Sequence, residues 1–109
     1  MTEITNKYLV DILLSIELID DFFTNCSSFM DYKLDLKTKS AVERQLIIIG
    51  EVINKIKKAD DLELSHSKEI INFRNRLVHA YDSIDDAIVW AIKYNHLPKL
   101  KTEVEALLK

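Results

Sequence analysis

Gly50 and Pro98 are the only glycine and the only proline in this chain of 109 residues. Sheets and loop-rich folds rely on both residue types for their turns, so a chain with one of each is left with helices. The apolar residues agree, recurring with a period near 3.6 along most of the chain. The length fits one domain over residues 1–109. The expected fold class is all-α, an up-and-down bundle of four to five helices with short connections.

The first helix is predicted from about Ile4 to Phe23, with Tyr8, Ile12, Ser15, Ile16, Ile19, Phe22 and Phe23 on one face. Thr24 to Asp35 reads as a connection pinned to the core by Phe29. The second helix is predicted from about Leu36 to Lys58, on the stripe Val42, Leu46, Ile49, Ile53 and Ile56. Ile47 and Ile48 fall outside that stripe, which places the helix centrally or buries it against a second chain. Gly50 lies in its interior, where glycine costs about 1 kcal/mol relative to alanine, and so marks a close helix approach. A third helix is expected from Ser65 or Ser67 to His79. A capping box, Ser83 with Asp86, opens a fourth through Ile84, Ile88, Ala91 and Ile92. Pro98 suits the first turn of a last helix carrying Leu100, Val104, Leu107 and Leu108.

Composition excludes several classes of function. The net charge of −3 argues against a protein that coats nucleic acid by bulk electrostatics, so any such contact must come from a local basic cluster. Cys26 is alone, which removes an intramolecular disulfide and any cysteine-based zinc site. The N-terminus lacks the pattern of a secretory signal, and no apolar run approaches the roughly 20 residues that span a bilayer. The expectation is a cytoplasmic protein that makes no membrane contact. Glycine loops for phosphate, nucleophile elbows and metal-ligand spacings are absent, so no cofactor and no metal is expected.

The stretch Phe73-Arg74-Asn75-Arg76-Leu77-Val78-His79-Ala80-Tyr81 carries the chemistry. On a helical wheel Arg74 falls near the middle of the apolar arc set by Ile70, Ile71, Phe73, Leu77 and Val78, while Asn72, Asn75, Arg76 and His79 lie on the polar arc. A guanidinium on an apolar face loses several kcal/mol of hydration unless it is paired or faces a wet cleft. It either makes a structural ion pair with an acid on a neighbouring helix, such as Glu51, or binds an anion; a forked arginine beside a histidine points to phosphate. His79 is either a helix C-terminal cap or a general acid–base. About 140° separates it from Arg74 on an ideal helix. The two converge only if the helix ends before His79, or if the pair is completed across a dimer axis. Asn75, one turn before His79, can orient its ring, and Arg76, Lys68 and His66 add positive charge nearby.

Arg74, His79 and Tyr81 together resemble the RxxxxHxY motif of the HepT-like toxins in the HEPN superfamily. Val42-Glu43-Arg44-Gln45-Leu46 through Ile49-Gly50-Glu51 resembles that family's second-helix signature. Ile84-Asp85 through Val89-Trp90 and Leu97-Pro98-Lys99-Leu100 resemble its C-terminal segment. Leu64-Ser65-His66-Ser67 stands where members often carry a proline-tryptophan pair. The resemblance implies a homodimer with the motif helices near the symmetry axis and metal-independent cleavage of RNA, tRNA or mRNA, in a composite cleft. It implies that Arg74 binds the scissile phosphate, that His79 handles protons as the 2′-hydroxyl attacks, and that Asn75 and Arg76 support the site. It further implies a nucleotidyltransferase antitoxin as partner and addition of AMP to Tyr81. Two other readings stand beside this one: a non-catalytic companion that presents RNA or nucleotide to the nucleotidyltransferase, and a structural bundle in which Arg74 is paired internally.

Overall fold

In a computed structural model, which describes residues 2–79 and 84–108, the chain is an all-α bundle, as the sequence predicts. Helix α1 spans Glu3–Phe22 and is capped by the Thr2 hydroxyl, which accepts from the Thr5 backbone N–H. A 3₁₀ turn, Phe23–Asn25, and a short helix α2, Phe29–Leu34, lead into the long helix α3, Leu36–Asp60. Helix α4 spans Ser67–His79, and α5 spans Asp86–Ala91. A π-helical turn, Ile92–His96, carries α5 directly into α6, Leu97–Leu107. Helix α1 packs on α3 and α6, and α3 packs on α4. No helix among the described residues is long and apolar enough to cross a membrane.

One core runs through these contacts. Leu9, Ile12, Ile16 and Ile19 of α1 meet Val42, Leu46, Ile49, Ile53 and Ile56 of α3, with Ile70, Phe73 and Leu77 of α4 on the far side. The predicted stripes are therefore the buried faces, as an amphipathic period requires. Ile47 and Ile48 are half-buried against this same core, so the chain itself covers much of the surplus apolar surface of α3. Val10, Leu14 and Leu18, by contrast, stay exposed on the outer side of α1.

Three local readings need correction. The connection after α1 contains a helix, α2, because the Ser28 hydroxyl caps it by accepting from the Asp31 N–H. Its pin is Tyr32, fully buried and stacked on Phe23 at 4.9 Å, while Phe29 is only half-buried. Helix α5 starts one residue after Asp85, whose carboxylate accepts from the Ala87 N–H; Ser83, the other half of the predicted box, lies outside the described residues. Pro98 falls in the first turn of α6, as predicted, and the π-helical turn joins α5 to α6 as one continuous rod.

Candidate active site

Helix α4 sets the site. Ile70, Phe73 and Leu77 recur at spacings of three and four and turn one face of α4 onto α3. Arg74 follows Phe73 at the edge of that face. A β-carbon placed on Gly50 would stand 2.6 Å from Arg74 Cβ and 2.9 Å from Arg74 Cγ. Glycine is the side chain that leaves this space open, so the close helix approach predicted at Gly50 is the seat of the arginine stem.

From that seat the guanidinium reaches the edge of the bundle. Nη1 donates to Asn75 Oδ1 at 2.8 Å, and Nη2 donates to Glu51 Oε1 at 3.3 Å. Nε is buried and has no partner among the described residues. The structural ion pair weighed from the sequence, Arg74 with Glu51, is therefore present within one chain. It is a single long contact, and the two side chains are 29% and 42% exposed. Water screens a pair of that kind, and it adds little to stability. The planar fork keeps donor hydrogens that neither contact uses, and they lie at a wet edge where an anion can approach.

The other motif residues lie along the same helix. Asn75, Arg76 and His79 are exposed, and the imidazole belongs to the last residue of α4. The helix does not end early to swing the ring towards Arg74, so within one chain the two side chains leave the helix on different sides. Asn75 gives its carbonyl oxygen to Arg74. Arg76 and His79 share the last turn, where the negative end of the helix dipole favours cations. Tyr81 lies outside the described residues.

His66 and Lys68 do not belong to this cluster. They sit at the opposite end of α4, with about 16–20 Å of helix between them and His79. The His66 ring packs edge-on against His96, with centroids 4.6 Å apart. Among the described residues, no three His, Cys, Asp or Glu side chains converge as metal ligands would.

Sequence reasoning weighed Arg74 with Glu51 and marked Gly50 as a close approach, but did not join Gly50 to Arg74. The signal was available: a lone glycine inside one helix and a lone cation on the apolar face of the next each require an explanation, and one contact supplies both. It also missed Asn72 and His96, which border a groove beside α4. Neither stands out from the polar pattern of its own helix, so no sequence signal marked them.

Comparison with known proteins matches residues 12–107 to the family described as "Ribonuclease HepT-like". The chain is 38% identical over 106 residues to "Probable ribonuclease HepT" of Thermococcus cleftensis, covering 94% of each chain. It is 33% identical over 106 residues to "Putative RNase MJ1216" of Methanocaldococcus jannaschii, covering 94% of this chain and 85% of the relative. A third relative, "Putative RNase MJ0125" of the same archaeon, is 34% identical over 107 residues, covering 94% and 89%. No solved structure gives a significant match. With nearly the whole helical bundle matched, motif helix included, the chain belongs to the HepT-like ribonuclease family.

Proposed function

We propose that this chain is a metal-independent endoribonuclease toxin that cleaves RNA in a cleft shared by two copies, and that a nucleotidyltransferase antitoxin holds it in check. The observation that carries the reading is Arg74: a guanidinium whose stem is seated on Gly50, whose fork is held by Asn75 and Glu51, and whose remaining donors lie at a wet edge. Family membership supports the ribonuclease activity.

In this mechanism Arg74 donates to a non-bridging oxygen of the scissile phosphate and stabilises the charge that builds there. The 2′-hydroxyl oxygen bonds to phosphorus as the bond from phosphorus to the 5′-oxygen breaks. The proton released by the 2′-hydroxyl passes by way of imidazole to the departing 5′-oxygen. The products are a 2′,3′-cyclic phosphate and a 5′-hydroxyl. The nucleophile is already held in the substrate, so the reaction needs neither an activated water nor a metal to generate one. Within one α4 the imidazole and the guanidinium diverge, which favours a pair completed by Arg74 of one copy and His79 of the other. AMP added to Tyr81, two residues after His79 in the sequence, would introduce a bulky anion and exclude RNA by charge and by occupation.

The test is metal-free cleavage of RNA in the presence of chelator. Arg74→Ala and His79→Ala should each abolish it. Mixing the two variants should restore activity, because a heterodimer regains one intact site when the pair spans two copies. Full activity in either variant would remove the assigned roles, and failure of the mixture to recover would remove the shared cleft. The Arg74–Glu51 contact favours a second reading, the structural ion pair. That reading predicts a large coupling energy for stability in a double-mutant cycle of Glu51→Ala with Arg74→Ala, and no response to RNA.

A further inference from the structure

Beside α4, a groove of about 420 Å³ separates this helix from the α5 rod. Phe73 and Ile88 line its interior. Ala87 and Ala91, one turn apart on α5, keep the opposite wall low. Its polar border carries Glu69, Asn72 and Arg76 of α4 and His96 of the π turn. Arg76 makes no ion pair with a described residue, and His96 Nδ1 is buried without a partner among the described residues.

Glu69, Asn72, Arg76 and His79 follow one another at spacings of three and four, so they share one face of α4. The polar row that borders the groove therefore continues to the imidazole, about 4.5 Å along the helix axis beyond Arg76. A strand that places a phosphate at His79 would pass Arg76 and run over the mouth of the groove.

We propose that this groove is a nucleobase subsite, which takes one unpaired base of the RNA next to the cleaved phosphodiester. The inference rests on the ribonuclease reading for its place in the reaction, but not for the binding itself. A base has an apolar face and an edge of hydrogen-bond donors and acceptors. The groove offers an apolar interior of matching character, an amide, an imidazole and a carboxylate at its border, and, for the adjoining phosphate, a guanidinium that pairs with no described residue. A buried apolar side chain from a protein partner would satisfy the interior, but would leave Arg76 and His96 Nδ1 without partners.

The experiment is titration of the full chain with each of the four 5′-mononucleotides, with the unphosphorylated nucleosides, and with inorganic phosphate, followed by methyl NMR of Ala87, Ile88 and Ala91. The nucleosides should move these methyls and phosphate alone should not. Ala87→Leu, at an exposed helical position that tolerates leucine, should fill the groove and weaken mononucleotide binding about tenfold, the scale of one lost stacking contact. Arg76→Gln should weaken nucleotides more than nucleosides. Methyls unmoved by every nucleoside and nucleotide would overturn the subsite, as would an Ala87→Leu protein that retains its native thermal transition and binds as the wild type does. Binding without RNA cleavage would leave the subsite standing and remove the ribonuclease reading. Cleavage with no response of the groove would do the reverse.

Discussion

Gly50 and Arg74 occupy one space between α3 and α4: the glycine gives up a side chain, and the β- and γ-carbons of the arginine take its volume. Alanine at position 50 would gain about 1 kcal/mol of helix propensity. Its methyl would meet a β-carbon fixed to the α4 backbone, which cannot rotate away, and overpacking of that kind costs about 1–3 kcal/mol. The clash outweighs the propensity. Gly50→Ala is expected to lower the thermal midpoint by about 5 °C and to displace the guanidinium. Calorimetry and an RNA cleavage assay on the same preparation check both effects; an unchanged or raised midpoint would show that the helices separate freely at this point.

Glu51 tests whether the carboxylate acts on Arg74 through its charge or its geometry. The pair is half exposed, so Glu51→Ala should change stability by less than about 1 kcal/mol. Glu51→Gln keeps an oxygen acceptor for Nη2 and removes a negative charge beside the proposed phosphate site. It should lower KM for RNA and leave kcat near that of the wild type. Glu51→Ala releases the fork and should lower kcat. Arg74→Lys should fail to support cleavage, because an ammonium on a flexible stem has no planar fork to share between Asn75, Glu51 and a phosphate. Steady-state kinetics of the three variants separate these outcomes; equal kinetics for Gln and Ala at position 51 would show that Glu51 does not position Arg74.

The unequal legibility of this molecule has a physical cause. Helix periodicity is a local property, and the stripes of Ile12, Ile16 and Ile19, of Val42, Leu46 and Ile49, and of Ile70, Phe73 and Leu77 are the buried faces. Arg74 was legible as an anomaly on one of those stripes. Its partners were only partly legible, because contact with Gly50 and Glu51 depends on how two helices register, and no period within either helix records that. Helix α2 was hidden behind Ser27, Ser28 and Asp31, residues that serve equally in a loop and in a helix cap. The groove was invisible because Asn72 and His96 come to border one space only through the placement of α4 beside the rod.

A second cluster gives a pH-dependent prediction. Burial raises the Glu43 carboxyl above its ordinary 4.5, and the nearby Asp86 charge adds to that, while Lys39, paired with Asp86 at 2.9 Å, works against it. A group whose folded value is raised favours the folded state when protonated. Its contribution is complete below about pH 4.5 and is lost as pH climbs through the raised value. Asp35 and Asp60 act in the opposite sense: hydrogen bonds from Thr38 and from Thr5, respectively, hold their carboxyls below 3.8, so what they contribute is lost on acidification beneath that value. Urea unfolding of Glu43→Gln should show it more stable than the wild type at neutral pH, with the advantage shrinking towards pH 4.5. A constant difference across that range would mean that Glu43 titrates alike in the folded and unfolded chains.

Tyr32 lies beside the same acids. Its ring is fully buried and stacked on Phe23, yet its hydroxyl has no hydrogen-bond partner among the described residues. Burial and the neighbouring Glu43 and Asp86 carboxylates push its ionisation well above the ordinary tyrosine value, so the phenol stays neutral throughout the working range. Removing a buried hydroxyl that makes no bond takes away a desolvation penalty while leaving the ring stack in place. Tyr32→Phe should therefore be neutral or stabilising by about 1 kcal/mol. Phe23→Ala should cost about 3–5 kcal/mol, because it removes the ring against which Tyr32, Trp90 and Tyr94 all pack. Chemical denaturation of the two variants at one pH decides the point. A loss above about 1 kcal/mol in Tyr32→Phe would show that the hydroxyl does have a partner, and Glu43 would be the first group to examine, with the double variant Tyr32→Phe, Glu43→Gln as the measure of their coupling.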